Sequence, residues 1–289
     1  MTLFEWALKV SFKRLKPSSR EVYACFWGGF EQRLQAQDSR PGQESLAQLA
    51  SAIEAAGDYA TQKRLYGLVR WVYRTLGDAG HPLTNHCGGL SRLYLRDDRP
   101  EHAALTDEAV THMAKAARAT VKGWKGLRLA AMLELLGETG LRTQELLALK
   151  KENFVLVPTP TISGGLGRNN RLFVLSPSCA SALQLWLEAY PAESACPWLF
   201  IANTRGEQMD ASTVWRQVKR MAAQALEPEL SKSTGTGAIR ASLAKKLERE
   251  GLAGADISRF LGHRLESSTG ELLERVKPAG GEKKGKRPA

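Results

Sequence analysis

The sequence has no cysteine framework, no membrane span and no phenol in its last third. Its four cysteines, Cys25, Cys87, Cys179 and Cys196, are scattered without a Cys-x-x-Cys pair. They read as reduced thiols of a cytosolic protein. His81, His86 and Cys87 lie close together, but no second ligand cluster answers them, so neither a metal nor another cofactor is expected. No apolar run reaches the ~18 residues of a membrane helix, and Met1 to Trp6 lack the charged-then-apolar order of a signal peptide. The expected location is the bacterial cytoplasm, at the nucleoid. The six tyrosines end at Tyr190, so nothing beyond that point can act as a phenol. Acidic residues are also in deficit. Forty-one Lys and Arg against 30 Asp and Glu give a net charge of +11. This excess suits a polyanionic partner, because phosphate contacts release counterions, although a merely soluble basic protein has the same composition.

A hydrophobic fraction of 43% over 289 residues is enough for two cores. The first hundred residues read as helices: one entered at Ser18-Ser19-Arg20-Glu21 and carrying Val22, Tyr23, Phe26, Phe30 and Leu34, a second over Leu46 to Ala56, and a third over Gln62 to Leu76. Asp38 to Gln43 reads as a loop, and Lys63 and Arg64 on the third helix are candidate phosphate contacts. Charged, proline-containing residues 95–105 read as a linker. Beyond it, Thr106 caps a helix, and Leu127 to Leu136, apolar nearly all round, reads as a buried central helix. Phe154 to Val157 and Leu172 to Leu175 flank a glycine-rich turn as two strands of a hairpin or small sheet. Helices return over 180–190, 212–226, 238–250 and 256–261. Residues 277–289 read as a disordered basic tail. Five of the seven tryptophans, Trp71, Trp124, Trp186, Trp198 and Trp215, sit at core spacing.

Three stretches carry a resemblance. Gly140-Leu141-Arg142 followed by Glu145 and Leu146 resembles the first arginine motif of the tyrosine recombinases and phage integrases. Leu261-Gly262-His263 resembles their Leu-Gly-His signature, reached from Arg240, which stands at the arginine of a His-x-x-Arg box. Gly165 to Arg171, including Arg168, sits like the family's basic β-turn. The three occur in the family's order, and with the N-terminal helices the likeness spans about residues 15–276. It implies a mainly α fold with a small β-sheet (α+β): a helical core-binding domain over 1–94, the linker 95–105, and a catalytic-type domain over 106–276. It also implies double-stranded DNA as partner, with Arg142, Arg240, His263, Arg168, Arg171, Lys63 and Arg64 as DNA contacts, and a homo-oligomer or an active recombinase as protein partner.

Three positions break the pattern. Gly237 stands at the family's first histidine, Leu166 at its lysine acid and Leu272 at its nucleophilic tyrosine. Transesterification needs a nucleophile, charge stabilisation and a leaving-group acid. Arg142, Arg240 and His263 supply only the second. The leading expectation is therefore a non-cleaving DNA-binding relative, acting as a regulator or accessory factor of a mobile element, plasmid or phage. The alternatives are a divergent recombinase whose nucleophile is unusual (Ser267, Ser268 or Thr269, with His263 as base) or supplied in trans, and an RNA-binding or structural role.

Overall fold

A computed structural model describes residues 1–11, 15, 17–94, 102–165, 170–191, 196–263 and 265–277. Chain contacts divide it into two compact units, Met1–Asp98 and Arg99–Ala289. Expectations for 95–101, for Leu166 and Arg168, and for 278–289 lie outside the described residues.

The first unit holds α1 (Leu3–Val10), α2 (Pro17–Gln35), α3 (Leu46–Glu54), α4 (Tyr59–Asp78) and α5 (Cys87–Tyr94). Start signals are local. Thr2 and Glu5 form a reciprocal capping box, as do Ser45 and Gln48, and Asp58 accepts from the Thr61 N–H at the head of α4. Helix α2 begins at Pro17 rather than at a Ser18 cap, proline being suited to a first helical turn whose N–H has no partner. The helices α1 and α5 escaped the periodicity reading because each is only eight residues long. Their apolar faces close on a core that includes Phe4, Trp27, Phe30, Ile53, Val69 and Tyr73.

The second unit runs β1 (His102–Ala103), α6 (Asp107–Thr120), α7 (Trp124–Thr139), α8 (Thr143–Leu147), β2 (Phe154–Val155), β3 (Thr161–Gly164), β4 (Arg171–Val174), α9 (Pro177–Glu188), α10 (Ala211–Ala225), α11 (Pro228–Ser233), α12 (Thr236–Arg249), α13 (Gly254–Leu261), α14 (Ser267–Glu274) and β5 (Val276–Lys277). The chain is mainly helical with a small sheet, as the resemblance implied. Helix α7 is buried on nearly every side, from Leu129 to Leu136, and packs against α6, α9 and α12. Residues 102–105, expected in the linker, belong to this unit. Strand β1 pairs in parallel with β5, and the Leu105 N–H donates to the Ser242 hydroxyl at 2.8 Å. The same pairing places Lys277 in a strand rather than in the tail.

The hairpin needs a correction. The strand facing β4 across the glycine-rich turn is β3, in register Thr161 with Val174 and Gly164 with Arg171, and β2 pairs on the far side of β3. Pro158 and Pro160 cannot donate to a ladder, so β2 stops early, and the β-branched pair Thr161-Ile162 begins a new strand. Trp215 also departs from expectation. It is 52% exposed, because the buried stripe of α10 runs through Val214, Val218, Met221 and Ala222 and leaves position 215 one step outside it.

At Gly126 a Cβ would lie 2.3 Å from the Val121 carbonyl oxygen and 2.8 Å from that of Ala117. Gly126→Ala should therefore cost about 1–3 kcal/mol, read as a lower denaturant midpoint in an unchanged fold.

Candidate phosphate-binding site

The site is assembled around the C-terminus of α13. Gly262 follows that helix at φ +66°, the left-handed conformation that ends helices. The Gly262 N–H donates to the Arg259 carbonyl at 3.1 Å and the His263 N–H to that of Ser258 at 2.9 Å. The next three carbonyls each accept from a different arginine. Arg171 Nη1 donates to Phe260 O at 2.9 Å, Arg240 Nη2 to Leu261 O at 2.6 Å, and Arg142 Nη1 to Gly262 O at 3.2 Å. The negative end of a helix dipole thus faces three guanidinium groups.

Each arginine arrives from a different element. Arg142 stands at the head of α8, where its backbone N–H donates to Glu145 Oε2 at 2.8 Å and its Nη1 to Glu145 Oε1 at 3.1 Å. Arg171, from β4, donates Nη2 to Glu145 Oε2 at 2.9 Å. Glu145, 2% exposed, is thus a buried carboxylate held by three donors. Arg240, from α12, also donates Nη1 to Gly140 O. Glycine is required on both sides of this contact. A Cβ at Gly140 would lie 2.8 Å from Leu261, and one at Gly262 would lie 2.8 Å from Arg171. The ion pair of Arg240 with Glu248 or Glu250, a bland alternative for that residue, does not form, since those carboxylates pair with Lys245 and Lys246.

Exposure separates the arginines. Arg171 is 11% exposed and Arg240 7%, whereas the side chain of Arg142 is 44% exposed. Nε and Nη2 of Arg142 have no partner among the described residues. Burial, followed by repulsion from Arg142, pulls Arg240 down to about 9, which still leaves it protonated at neutral pH. His263 is pushed down to about 4 by burial and by the positive field of Arg240, Arg142 and Arg171, so its imidazole is neutral. Its Nδ1 lies 2.7 Å from Thr269 Oγ1. The result is an electropositive pocket with one exposed guanidinium and one neutral imidazole, able to hold an oxyanion.

Gly237 and Leu272, two positions where the sequence pattern breaks, carry no polar side chain. A Cβ at Gly237 meets nothing within 4 Å, and the residue lines an open cavity of about 590 Å³ with Trp215 and Thr236. Leu272 packs onto the cluster of Leu243, Ala244, Ile257 and Leu261. Thr269, one of three hydroxyl residues considered as a substitute nucleophile, is 1% exposed. Lys63 and Arg64 belong to the first unit, on α4, where they line a separate cavity of about 680 Å³. Among the described residues no group of His, Cys, Asp and Glu converges to hold a metal ion.

Residues 104–272, more than half of the chain, match the sequence profile of the phage integrase family. The chain belongs to that family. Among curated proteins this integrase-family chain is 33% identical over 127 residues to the tyrosine recombinase XerD of Rhizobium meliloti, covering 42% of the chain and 41% of the relative. It is 31% identical over 154 residues to XerD of Brucella abortus, covering 50% and 47%. The matches thus span less than half the length of these relatives. Among solved structures, the Tn1549 transposon integrase in complex with transposon right end DNA superposes with TM-score 0.72 at 16% identity, covering 94% of this chain and 95% of that one. A lambda integrase dimer bound to a COC' core site gives 0.67 at 18%, covering 93% and 75%. At such identities these two establish the fold.

The motif reading located Arg142, Arg240 and His263 but missed the shared carbonyl platform, the Thr269 partner and the inward role of Arg171. Its place after a basic turn points instead to a DNA contact. The signal that it faces inward is its alternation with Phe173 on β4, both on the buried side.

Two outcomes follow from this geometry. Glu145→Ala, which strands Arg171 without a counter-charge, should cost about 3–5 kcal/mol in denaturant unfolding. His263 titrates near 6.5 when unfolded and near 4 when folded, so between those values the unfolded chain binds the extra proton. Its contribution is complete above pH about 6.5 and is lost as pH falls toward about 4. In that window wild-type stability should rise more steeply with pH than that of His263→Gln, by at most about 1.4 kcal/mol per pH unit.

Proposed function

We propose that this chain is a DNA-binding member of the phage integrase family that grips backbone phosphate without cleaving the strand. The observation that carries this reading is Leu272. An aliphatic side chain packed on the α12 and α13 leucines stands at the family's nucleophile position, and no tyrosine follows Tyr190. A hydrocarbon cannot attack phosphorus, and losing the nucleophile removes the pathway rather than slowing it. Gly237 adds a second gap in the machinery, where a family histidine would be. The burial of Thr269 speaks against that hydroxyl as a substitute, since a phosphorus atom would have to reach it inside the fold.

The gripping half is intact. Arg142 presents free donors at the surface, and Arg240, His263 and the α13 carbonyls hold the pocket around it. The first unit, with Lys63 and Arg64 on α4, would supply a second phosphate-facing surface, and the net charge of +11 supports association with duplex DNA. The relatives and structural neighbours are recombinases and integrases, some bound to DNA as dimers. For this chain the corresponding role is that of a regulator or accessory factor of a mobile element, plasmid or phage, acting as a homo-oligomer or beside an active recombinase.

The test is a suicide substrate carrying a nicked candidate site. The purified chain should form no covalent protein–DNA adduct, and an adduct would overturn the non-cleaving reading. Arg142→Ala should weaken duplex binding and lower the magnitude of the salt slope by about 1, the signature of one lost phosphate contact. An unchanged affinity and slope would mean that this pocket does not engage DNA.

A further inference from the structure

The contact between His263 and Thr269 constrains where the imidazole carries its proton. Thr269 lies in the first turn of α14, and its side chain is turned inward, 1% exposed. Its Oγ1 lies 2.7 Å from His263 Nδ1, and among the described residues that hydroxyl has no other hydrogen-bond partner. A hydroxyl and a neutral imidazole can pair in two ways. If Nδ1–H donated to Oγ1, the threonine proton would be buried with no acceptor, a costly arrangement. If the hydroxyl donates to Nδ1, its proton is satisfied and the ring proton must reside on Nε2. Nε2 has no partner among the described residues, which leaves it free for a ligand.

We infer that Thr269 is a positioning residue, whose hydroxyl donates to His263 Nδ1 and fixes the imidazole as the Nε2–H tautomer, a neutral hydrogen-bond donor for phosphate oxygen. This inference rests on the phosphate-pocket reading given above. The charged groups acting on the imidazole are Arg240, Arg142 and Arg171, opposed by Glu145. Three guanidinium groups against one carboxylate disfavour an imidazolium, so the donor role falls to the tautomer rather than to protonation. The arrangement places one neutral donor beside one exposed charged donor, Arg142, and threonine at 269 makes the neutral one persistent.

The experiment compares wild type, Thr269→Ser and Thr269→Val, each as the full chain. Long-range nitrogen–proton correlation spectra, with the His263 signals assigned through His263→Ala, report the ring nitrogens directly. Wild type and Thr269→Ser should show a proton-bearing Nε2 and an Nδ1 shifted as a hydrogen-bond acceptor. Thr269→Val should lose the acceptor shift. On a mixed-sequence DNA duplex, Thr269→Val should bind about three- to tenfold more weakly, the scale of one neutral hydrogen bond, and Thr269→Ser should recover most of that loss. In a His263→Ala background the valine substitution should have no further effect, because Thr269 acts through the imidazole.

A proton on Nδ1 in the wild type overturns the inference, as does an equal loss from Thr269→Val with and without His263. If Thr269→Val does not fold, the wild-type and serine spectra still decide the tautomer. If Arg142→Ala binds duplex as wild type does, the phosphate-pocket reading falls and takes this inference with it. A proton on Nδ1 in a chain whose binding does depend on Arg142 overturns the tautomer assignment alone.

Discussion

The pocket is anchored on the C-terminal end of α13, which is packed against other elements. A helix leaves its last four carbonyls without intrahelical donors, and an end packed against other elements must find donors elsewhere. Here the turn at Gly262 satisfies the earlier carbonyls, and Phe260, Leu261 and Gly262 each receive one arginine, from β4, α12 and α8 respectively. Three like charges would otherwise repel one another inside a partly buried site. The oriented carbonyls and the Glu145 carboxylate offset that repulsion in the absence of any ligand. The pocket is therefore organised by backbone before an anion arrives, and little rearrangement is needed to receive one.

The same platform divides labour among residues of one type. Arg171 and Arg240 have their heads inside the fold and hold elements together, while Arg142 keeps donors at the surface. A planar, permanently charged fork suits both tasks, which explains why lysine would be a poor substitute at any of the three. His263 stays neutral because it is partly buried and sits in the field of all three. Its contribution to anion binding has to come from a hydrogen bond rather than from charge.

Leu272 and Gly237 share one property. Leu272 joins an apolar cluster, and Gly237 leaves open space, so neither keeps a polar group that would need a partner. Glu145 and Thr269 are polar and buried, and each has a hydrogen-bond partner, where an unpaired group would be costly.

Much of the fold was legible in the residues. Helices α2 and α4 announced themselves by apolar periodicity, α6 by its Thr106 cap and α7 by its continuous apolar run, and Arg142, Arg240 and His263 by their motif spacing. Short elements were not legible, because α8, α11 and β3 span fewer residues than a periodic pattern needs and are set by what they pack against. The sequence alone determined which groups are available: it contains Arg142, Arg171, Arg240 and His263, and no phenol after Tyr190. Only the tertiary structure decided which guanidinium faces solvent, which carbonyls hold the others and which hydroxyl meets the imidazole. Those contacts join residues up to 120 positions apart, and no local pattern in a chain encodes the exposure of a side chain that distant elements cover.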